Sequence, residues 1–259
     1  MWEPIREVYQ SRELLFALAY RDIRIRYKQT VIGAGWAIVM PLLMMIVFTQ
    51  AFQKTDRLEL GDIPYSVYVL CALLPWQFFA SSVKGAVESL TKNNRLVTKI
   101  YFPREVFPFS QILVAAVDLA VASLLLIGLM AWHGITPKAT IFFLPVVLGV
   151  QVLFMIGLGL LLSMANLFYR DVKFIFEFIL LLWMFVSGVM FPMKDHGILS
   201  TVLNLNPMTP IIDAYRQVLL FGQLPDMMGF CYAGVLSLLL CAVAIRWFHE
   251  AEFLFAEII

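Results

Sequence analysis

Two carboxylates stand inside otherwise uncharged stretches of this sequence and are the residues best placed to do chemistry. Asp118 is the one charged residue of 106–137, and Glu177 is the one charged residue of 174–193. An ionised carboxylate in hydrocarbon costs about 3 kcal/mol or more unless it is paired or solvated. For Asp118, contact with a polar lumen or a proton site and a structural hydrogen bond to a neighbouring helix are both open. For Glu177 we expect a local ion pair with Lys173, four residues earlier.

Sequence motifs for phosphate, dinucleotide or zinc chemistry are absent. No GxxxxGK[ST] phosphate loop occurs, and Gly157 and Gly159 lie inside an apolar run, not between a strand and a helix. His249 and Glu250 are not followed by the second histidine of the zinc-protease pattern. The histidines and cysteines show no metal-ligand spacing: His133, His196, His249, Cys71, Cys231 and Cys241. We therefore expect no metal and no cofactor in this chain, and an energy source in a partner chain or an ion gradient.

The elements that must position these carboxylates are long apolar stretches. Four hold no Lys, Arg, Asp or Glu (29–53, 63–83, 139–169 and 227–245), and two more hold one carboxylate each. Charged residues make up only 14% of the chain, where about 25% is usual for a soluble protein. About 20 apolar residues in a helix cross a bilayer core. The sequence therefore predicts an all-α polytopic membrane protein, one domain over 1–259, with six transmembrane helices at about 31–53, 63–83, 106–133, 140–166, 174–193 and 228–247.

Basic residues are distributed unevenly between the two sides of this predicted bundle. Of the 19 Lys and Arg, 14 fall on the side of the N-terminal segment and five on the other side. The positive-inside rule places the more basic side in the cytoplasm. Both termini are therefore expected to be cytoplasmic.

Two basic segments on that side have features of their own. Residues 1–30 combine arginines with apolar residues such as Leu18 and Ile23. One interpretation is an amphipathic helix on the inner membrane surface, in contact with lipid headgroups; a basic tail that only sets orientation is the alternative. The loop 84–105 is expected to form a short helix and a turn before Pro103, and it is large enough to be a docking surface.

On the outer side, residues 194–226 carry apolar residues at near-helical spacing from 211 to 221. About fifteen residues are too few to span, so re-entrant or interfacial helices are predicted between spans five and six. A surface-lying helix without a gating role is the alternative. Two residue pairs mark this segment, a helix start and a facing i,i+3 ion pair: Asn206 with Pro207, and Asp213 with Arg216.

Aromatic residues are abundant, with 22 Phe, nine Tyr and six Trp. Anchoring at the membrane interfaces accounts for most of them. A subset could instead line a conduit and stack on the apolar faces of sugar rings: Trp76, Phe78, Phe79, Trp183 and Phe185.

Several short motifs occur in a fixed order along nearly the whole chain. They are 21–33 with Trp36 and Pro41, Leu74-Pro75-Trp76 with Phe79, 99–108, 166–172, 188–192 and 206–208. Each is weak alone, but in this order and on this topology the set resembles the permease subunits of ABC-2 type polysaccharide exporters. Those proteins move O-antigen, capsule or teichoic acid chains.

The resemblance implies a subunit that works in a complex and is not itself an enzyme. A second copy of the chain would complete the transmembrane part, and two ABC ATPase subunits would bind ATP and Mg on the cytoplasmic side. The substrate implied is a lipid-linked polysaccharide, O-antigen or capsule, crossing a bacterial inner membrane, with membrane lipids and no nucleic acid as further contacts. The alternative is an ABC-2 permease for a small hydrophobic molecule or drug. A third hypothesis is an intramembrane enzyme acting on lipid-linked sugars, for which Asp118 and Glu177 are the available catalytic acids.

The resemblance also assigns candidate roles to residues. The ATPase coupling candidates are Arg24, Arg26, Lys92, Arg95, Lys99 and Arg104. The cytoplasmic mouth would hold Arg170 and Asp171, which otherwise form a local salt bridge and set topology. The outer gate would include Asn206, Pro207, Asp213 and Arg216. The substrate-channel candidates are the five aromatic residues of the subset above and Asp118.

Overall fold

The computed structural model of the protein describes residues 2–28, 30–52, 63–99, 102–190 and 205–258. Throughout these ranges the regular elements are helices, and no strand occurs among them. The predicted fold class, an all-α assembly of apolar helices, is confirmed.

The helices of the described ranges run in chain order from α1 to α10. Their bounds are α1 Trp2–Gln10, α2 Arg12–Tyr27, α3 Trp36–Phe52, α4 Tyr65–Lys92, α5 Asn94–Lys99, α6 Val106–Trp132, α7 Leu144–Phe168, α8 Val172–Val186, α9 Met208–Arg216 and α10 Met227–Ile258. Short 3₁₀ turns precede α3 and α7, at Gly33–Gly35 and Ala139–Phe143. A π turn, Gln217–Phe221, continues α9.

Within the described ranges, five stretches of helix are long and apolar enough to cross a membrane: Gly33–Phe52, Tyr65–Lys92, Val106–Trp132, Ala139–Phe168 and Met227–Glu252. They correspond to five of the six predicted spans. The predicted span 174–193 overlaps α8, whose 15 residues reach only about 22 Å of the roughly 30 Å hydrocarbon core. Residues 191–193 lie outside the described part of the chain, so the sixth span stays a prediction.

Helix α4 is the centre of the bundle. In its most apolar stretch 78% of the residues are buried inside the protein, against 11% for the stretch Gly33–Phe52 that contains α3. Helices α6 and α7 pack along α4, and α10 packs along α7. Helix α4 also continues to Lys92, so that the loop predicted for 84–105 begins as helix, turns at Asn93 and forms the short α5.

Helices α7 and α10 approach each other closely at a glycine. A Cβ atom added to Gly157 would lie 2.8 Å from the backbone nitrogen of Cys241 and 2.9 Å from the carbonyl carbon of Leu240. Backbone atoms cannot move aside as a flexible side chain does. The glycine that the sequence places in an apolar run is therefore required for helix packing.

The variant Gly157→Ala is expected to force α7 and α10 apart. Overpacking typically costs about 1–3 kcal/mol, which corresponds to a fall of several degrees in melting temperature. Gly149→Ala on the same helix is the matched control, because a Cβ there meets nothing within 4 Å. Thermal unfolding of both purified variants checks this. Equal melting temperatures would contradict the close approach.

The N-terminal segment forms two helices, and the second packs against α6. Gln111 of α6 donates from Nε2 to Oδ2 of Asp22 at 2.6 Å, and Arg21 donates from Nη2 to Oδ1 of Asn93 at 2.8 Å. Leu18 is buried, whereas Phe16 is 61% exposed. Helix α2 is therefore bonded to the bundle on one side and presents apolar residues on another. Its position on the membrane surface stays a prediction.

Candidate transport cavity and gate

A cavity of about 660 Å³ lies between α3, α4 and α6. Aromatic rings and charged groups share its wall, among them Trp36, Trp76, Phe78, Lys84 and Asp118. Such a wall can hold an amphiphilic ligand, because ring faces pack against apolar surfaces and cationic groups bind anions. Three of the six substrate-channel candidates, Trp76, Phe78 and Asp118, therefore meet at one cavity.

Asp118 is held at the cavity wall by the C-terminal end of α2. Arg26 Nη1 donates to its Oδ2, and the Tyr27 hydroxyl donates to its Oδ1. Burial, with a contribution from Asp118, raises the pKa of Tyr27 to about 12, so the phenol stays a neutral donor at physiological pH. A bond between Asp118 and a neighbouring helix is thus present, and the same carboxylate lines the cavity. A role for Asp118 in transport stays a prediction.

A second ion pair lies near the same cavity. Lys84 of α4, which lines the cavity, places Nζ 2.6 Å from Oε1 of Glu177 on α8. The local pair expected between Glu177 and Lys173 is wrong: the Lys173 ammonium instead lies 4.7 Å from the centre of the Phe174 ring. The carboxylate of Glu177 is directed at α4, where a cation from another helix meets it.

A basic cleft of about 560 Å³ lies on the other side of Arg26. Its wall includes Arg21, Asp22, Arg26, Lys92 and Gln111. Arg26 therefore lines both the cavity and the cleft. Arginine and lysine side chains in such a cleft can bind a phosphate or another anion.

The other three aromatic candidates lie elsewhere. Phe79 is fully buried and packs against Phe154 at a ring-centre distance of 5.6 Å and against Trp183 at 5.2 Å. Phe185 is 57% exposed on α8. Phe79 and Trp183 thus belong to an internal aromatic cluster behind Trp76, and Phe185 is not part of the cavity wall, although its neighbour Met184 is.

The start of α9 is bonded to the end of α8 through Asn206. Its Oδ1 accepts from Trp183 Nε1 at 2.8 Å and from the Met208 backbone N–H at 3.1 Å. Its Nδ2 donates to the Ser187 hydroxyl at 2.9 Å. The side chain of Asn206 thus accepts the first backbone N–H of α9, whereas the N-cap position itself is occupied by Pro207, one residue later than predicted.

Arg216 anchors the other end of α9, with a side chain that is only 2% exposed. Its guanidinium donates to the carbonyl oxygens of Gly188 at 2.8 Å and Val189 at 2.7 Å. Nη1 also lies 3.2 Å from Oδ1 of Asp213, the predicted i,i+3 partner. The guanidinium carbon lies 3.9 Å from the centre of the Tyr68 ring on α4. One arginine thus joins α9 to α4 and to the turn after α8.

A third polar link holds α9 against the core. The Tyr215 hydroxyl donates to Oε1 of Gln151 on α7 at 2.6 Å, and Gln151 Nε2 donates to the Pro75 carbonyl on α4 at 2.7 Å. Ile211 and Ile212 are fully buried beside it. Helix α9 is therefore packed inside the bundle, which does not fit a helix that merely lies on its surface. Residues 194–204 of the predicted outer segment lie outside the described residues.

The predicted coupling residues lie mostly at one end of the bundle. Arg24, Lys92 and Arg95 are exposed, whereas Arg26 is turned toward Asp118 and Arg104 bonds to α10. The side chain of Lys99 lies outside the described part of the structure. Arg170 and Asp171 are both exposed, and in the described structure no ion pair joins them.

Sequence reasoning missed a buried acid on this side of the protein. Glu105, the residue before α6, is 2% exposed and lies beside His249 and Glu252 of α10. Burial, more than the nearby carboxylates, raises the pKa of Glu105 to about 7. A local signal exists only for His249 and Glu252, whose i,i+3 spacing places them on one helix face.

Comparisons with known proteins agree with this architecture. The profile of the ABC-2 type transporter family matches residues 13–220. The O-antigen export system permease protein RfbA of Myxococcus xanthus is 30% identical over 256 residues, which cover 98% of each chain. A protein of the same name from Klebsiella pneumoniae is 26% identical over 95% of each chain. The polysialic acid transport protein KpsM of Escherichia coli is 23% identical, over 91% of this chain and 92% of its own length.

The family match includes α2 from residue 13 onward, with Arg26, and the whole of α9. The helices long enough to cross a membrane and the full-length relatives agree with a multi-pass membrane protein. The chain belongs to the ABC-2 type transporter family.

Proposed function

We propose that this chain is the permease subunit of an ATP-driven exporter that moves a lipid-linked polysaccharide, O-antigen or capsule, across a bacterial inner membrane. Relatives that match over nearly their full length are named for O-antigen export and polysialic acid transport. Both termini would face the cytoplasm, where most of the Lys and Arg lie.

The cavity between α3, α4 and α6 is the observation that carries this proposal. Trp36, Trp76 and Phe78 belong to its wall and would pack against sugar rings, and Arg26 and Lys84 would bind a phosphate or an acidic sugar. A purely apolar cargo would have no use for the two cations and their paired carboxylates. The mixed wall therefore favours a carbohydrate with an anionic group.

A second copy of the chain would complete the path. The cavity is bounded on one side by α3, and only 11% of the residues of Gly33–Phe52 are buried in a single chain. Helix α8 also exposes large apolar side chains, such as Phe178 and Leu181. Some of this surface would face lipid, and the rest would be covered in a homodimer.

Two ATPase subunits would supply the energy, because the sequence holds no phosphate loop of its own. The exposed cations Arg24, Lys92 and Arg95 lie near the C-terminal ends of α2 and α4 and on α5. They would form the docking surface, and the basic cleft next to them would communicate with the cavity through Arg26.

The proposal is tested by the ATPase activity of the assembled transporter in lipid nanodiscs. Adding the lipid-linked polysaccharide is expected to stimulate ATP hydrolysis several-fold. Trp76→Ala should remove most of this stimulation, because Trp76 forms part of the cavity wall. Trp132→Ala is the matched control, since Trp132 is 85% exposed at the end of α6 and should leave the stimulation unchanged.

Two outcomes would contradict the proposal. Stimulation by small hydrophobic molecules but not by the polysaccharide would favour the alternative, a drug-type exporter. Full stimulation in a folded Trp76→Ala transporter would show that the substrate does not use this cavity. The melting temperature of each variant is measured as well, and activities are compared at a temperature at which every variant is folded, so that a loss of fold is not mistaken for a loss of binding.

A further inference from the structure

Three potential metal-ligating side chains meet where the start of α6 touches α10. Glu105 precedes α6, and His249 and Glu252 lie three residues apart on α10. One ligand atom from each residue can be chosen so that all three lie within 4.8 Å of one another. His249 Nδ1 lies 3.8 Å from Oε1 of Glu105 and 3.8 Å from Oε2 of Glu252.

Glu105 is the unusual member of this group. Its side chain is 2% exposed, and among the residues whose side chains the structure describes, neither of its carboxylate oxygens finds a hydrogen-bond donor. His249 Nδ1 is likewise without a hydrogen-bond partner there. Buried carboxylates are normally hydrogen-bonded, paired or bound to a metal. An acid and an imidazole that face each other unsatisfied, 3.8 Å apart, leave space for a ligand between them.

Arg104 orients the third group. Its backbone N–H donates to Oε1 of Glu252 at 3.1 Å, and its guanidinium donates to the Glu252 carbonyl oxygen. This leaves Oε2 of Glu252 directed at His249. The backbone N–H of Arg104 therefore holds Oε1 of Glu252 and leaves Oε2 facing His249, much as residues behind metal ligands orient those ligands.

We propose that Glu105, His249 and Glu252 form a binding site for a divalent transition-metal ion, with Zn²⁺ as the best-fitting ion. Three atoms no more than 4.8 Å apart have a common point within about 2.8 Å of each, and Zn²⁺ binds nitrogen and oxygen at about 2.0–2.2 Å. An inward shift of well under 1 Å would close the shell. Three protein ligands with a water in the fourth position are a normal zinc arrangement.

The site is reachable from one side of the membrane. His249 lies about 33 Å along α10 from Met227, slightly more than the thickness of the bilayer core, and its side chain is 37% exposed. A bound ion would join the start of α6 to the end of α10. It would also fix the segment that begins with α5, next to the exposed cations.

The test uses the full-length permease without a polyhistidine tag, dialysed against EDTA and then titrated with zinc chloride in a calorimeter. One Zn²⁺ per chain is expected to bind with micromolar affinity or better. Glu105→Gln and His249→Asn should each weaken binding at least about tenfold, since each removes a direct ligand. His133→Asn and Glu250→Gln are matched controls: His133 is exposed at the end of α6, and Glu250 pairs with Arg246 on the outer face of α10.

Failure of the wild-type protein to bind Zn²⁺ at millimolar concentration would overturn the proposal. So would unchanged affinity in His249→Asn, because the ion would then sit elsewhere. If Glu105→Gln does not fold, the half-exposed His249 still decides the question through its own variant. Neither negative result contradicts the proposal of polysaccharide export, which rests on the cavity between α3, α4 and α6 and not on this site.

Discussion

Replacing Arg216 with methionine is expected to lower the free energy of unfolding by about 3 kcal/mol or more. The substitution leaves the carbonyl oxygens of Gly188 and Val189 without their donors inside the bundle, and each such acceptor costs about 1–3 kcal/mol. It also removes the cation from the Tyr68 ring and from Asp213. Helix α9 would lose the contact that joins it to α4 and to the turn after α8, so we expect export to be lost.

Thermal unfolding in detergent, followed with a thiol-reactive dye, measures this effect. Cys71 and Cys241 are buried and react only on unfolding, and the exposed Cys231 is changed to serine in the background. Arg246→Met is the matched control, because Arg246 is 75% exposed and its pair with Glu250 is worth well under about 1 kcal/mol. An Arg216→Met protein that melts with the wild type would show that the buried network does not hold α9.

Breaking the pair between Arg26 and Asp118 is the second large effect. Asp118→Asn and Arg26→Gln should each destabilise the docking of α2 by about 1–2 kcal/mol, the range of a charge-assisted bond discounted for partial exposure. A loss of about 1.4 kcal/mol lowers the docked population roughly tenfold relative to the undocked state. Because the pair lines the cavity, export should fall with it.

A double-mutant cycle separates a structural pair from a transport site. If the two residues act together, the double variant is no worse than either single variant, and the coupling energy equals the effect of one single variant, about 1–2 kcal/mol. Glu177→Gln is the control at the more exposed pair with Lys84, and its effect should be smaller. A folded Asp118→Asn protein with wild-type stability but no export would contradict a purely structural role and support a proton or substrate site.

The apolar helices, the start of α9 and its ion pair could be predicted from the sequence because their signals are local. In a charge-free stretch long enough to cross the bilayer, a helix pairs the backbone N–H and C=O groups within the segment, which the water-free bilayer core requires. Asn206 before Pro207 specifies a helix start through a bond only two residues long. Asp213 and Arg216 face each other because three residues make almost one helical turn.

The partners of the intramembrane carboxylates could not be predicted, because they come from distant parts of the chain. Arg26 is 92 residues from Asp118, and Lys84 lies on a different helix from Glu177. The local candidate, Lys173, was wrong because the direction of a side chain depends on which helix it packs against. Glu105 was overlooked for the same reason: its burial beside α10 is a consequence of packing.

Export by purified components is the most direct test of whether this chain is the permease subunit of an ATP-driven polysaccharide exporter. The permease and its partner ATPase are reconstituted in proteoliposomes with a labelled lipid-linked polysaccharide, and the polymer that crosses the membrane is measured. We expect the polysaccharide to cross the membrane only when both chains are present and ATP is hydrolysed. This transport should be lost with Trp76→Ala but not with Trp132→Ala. Movement by the permease alone without nucleotide, or hydrolysis of ATP by the isolated permease, would contradict it.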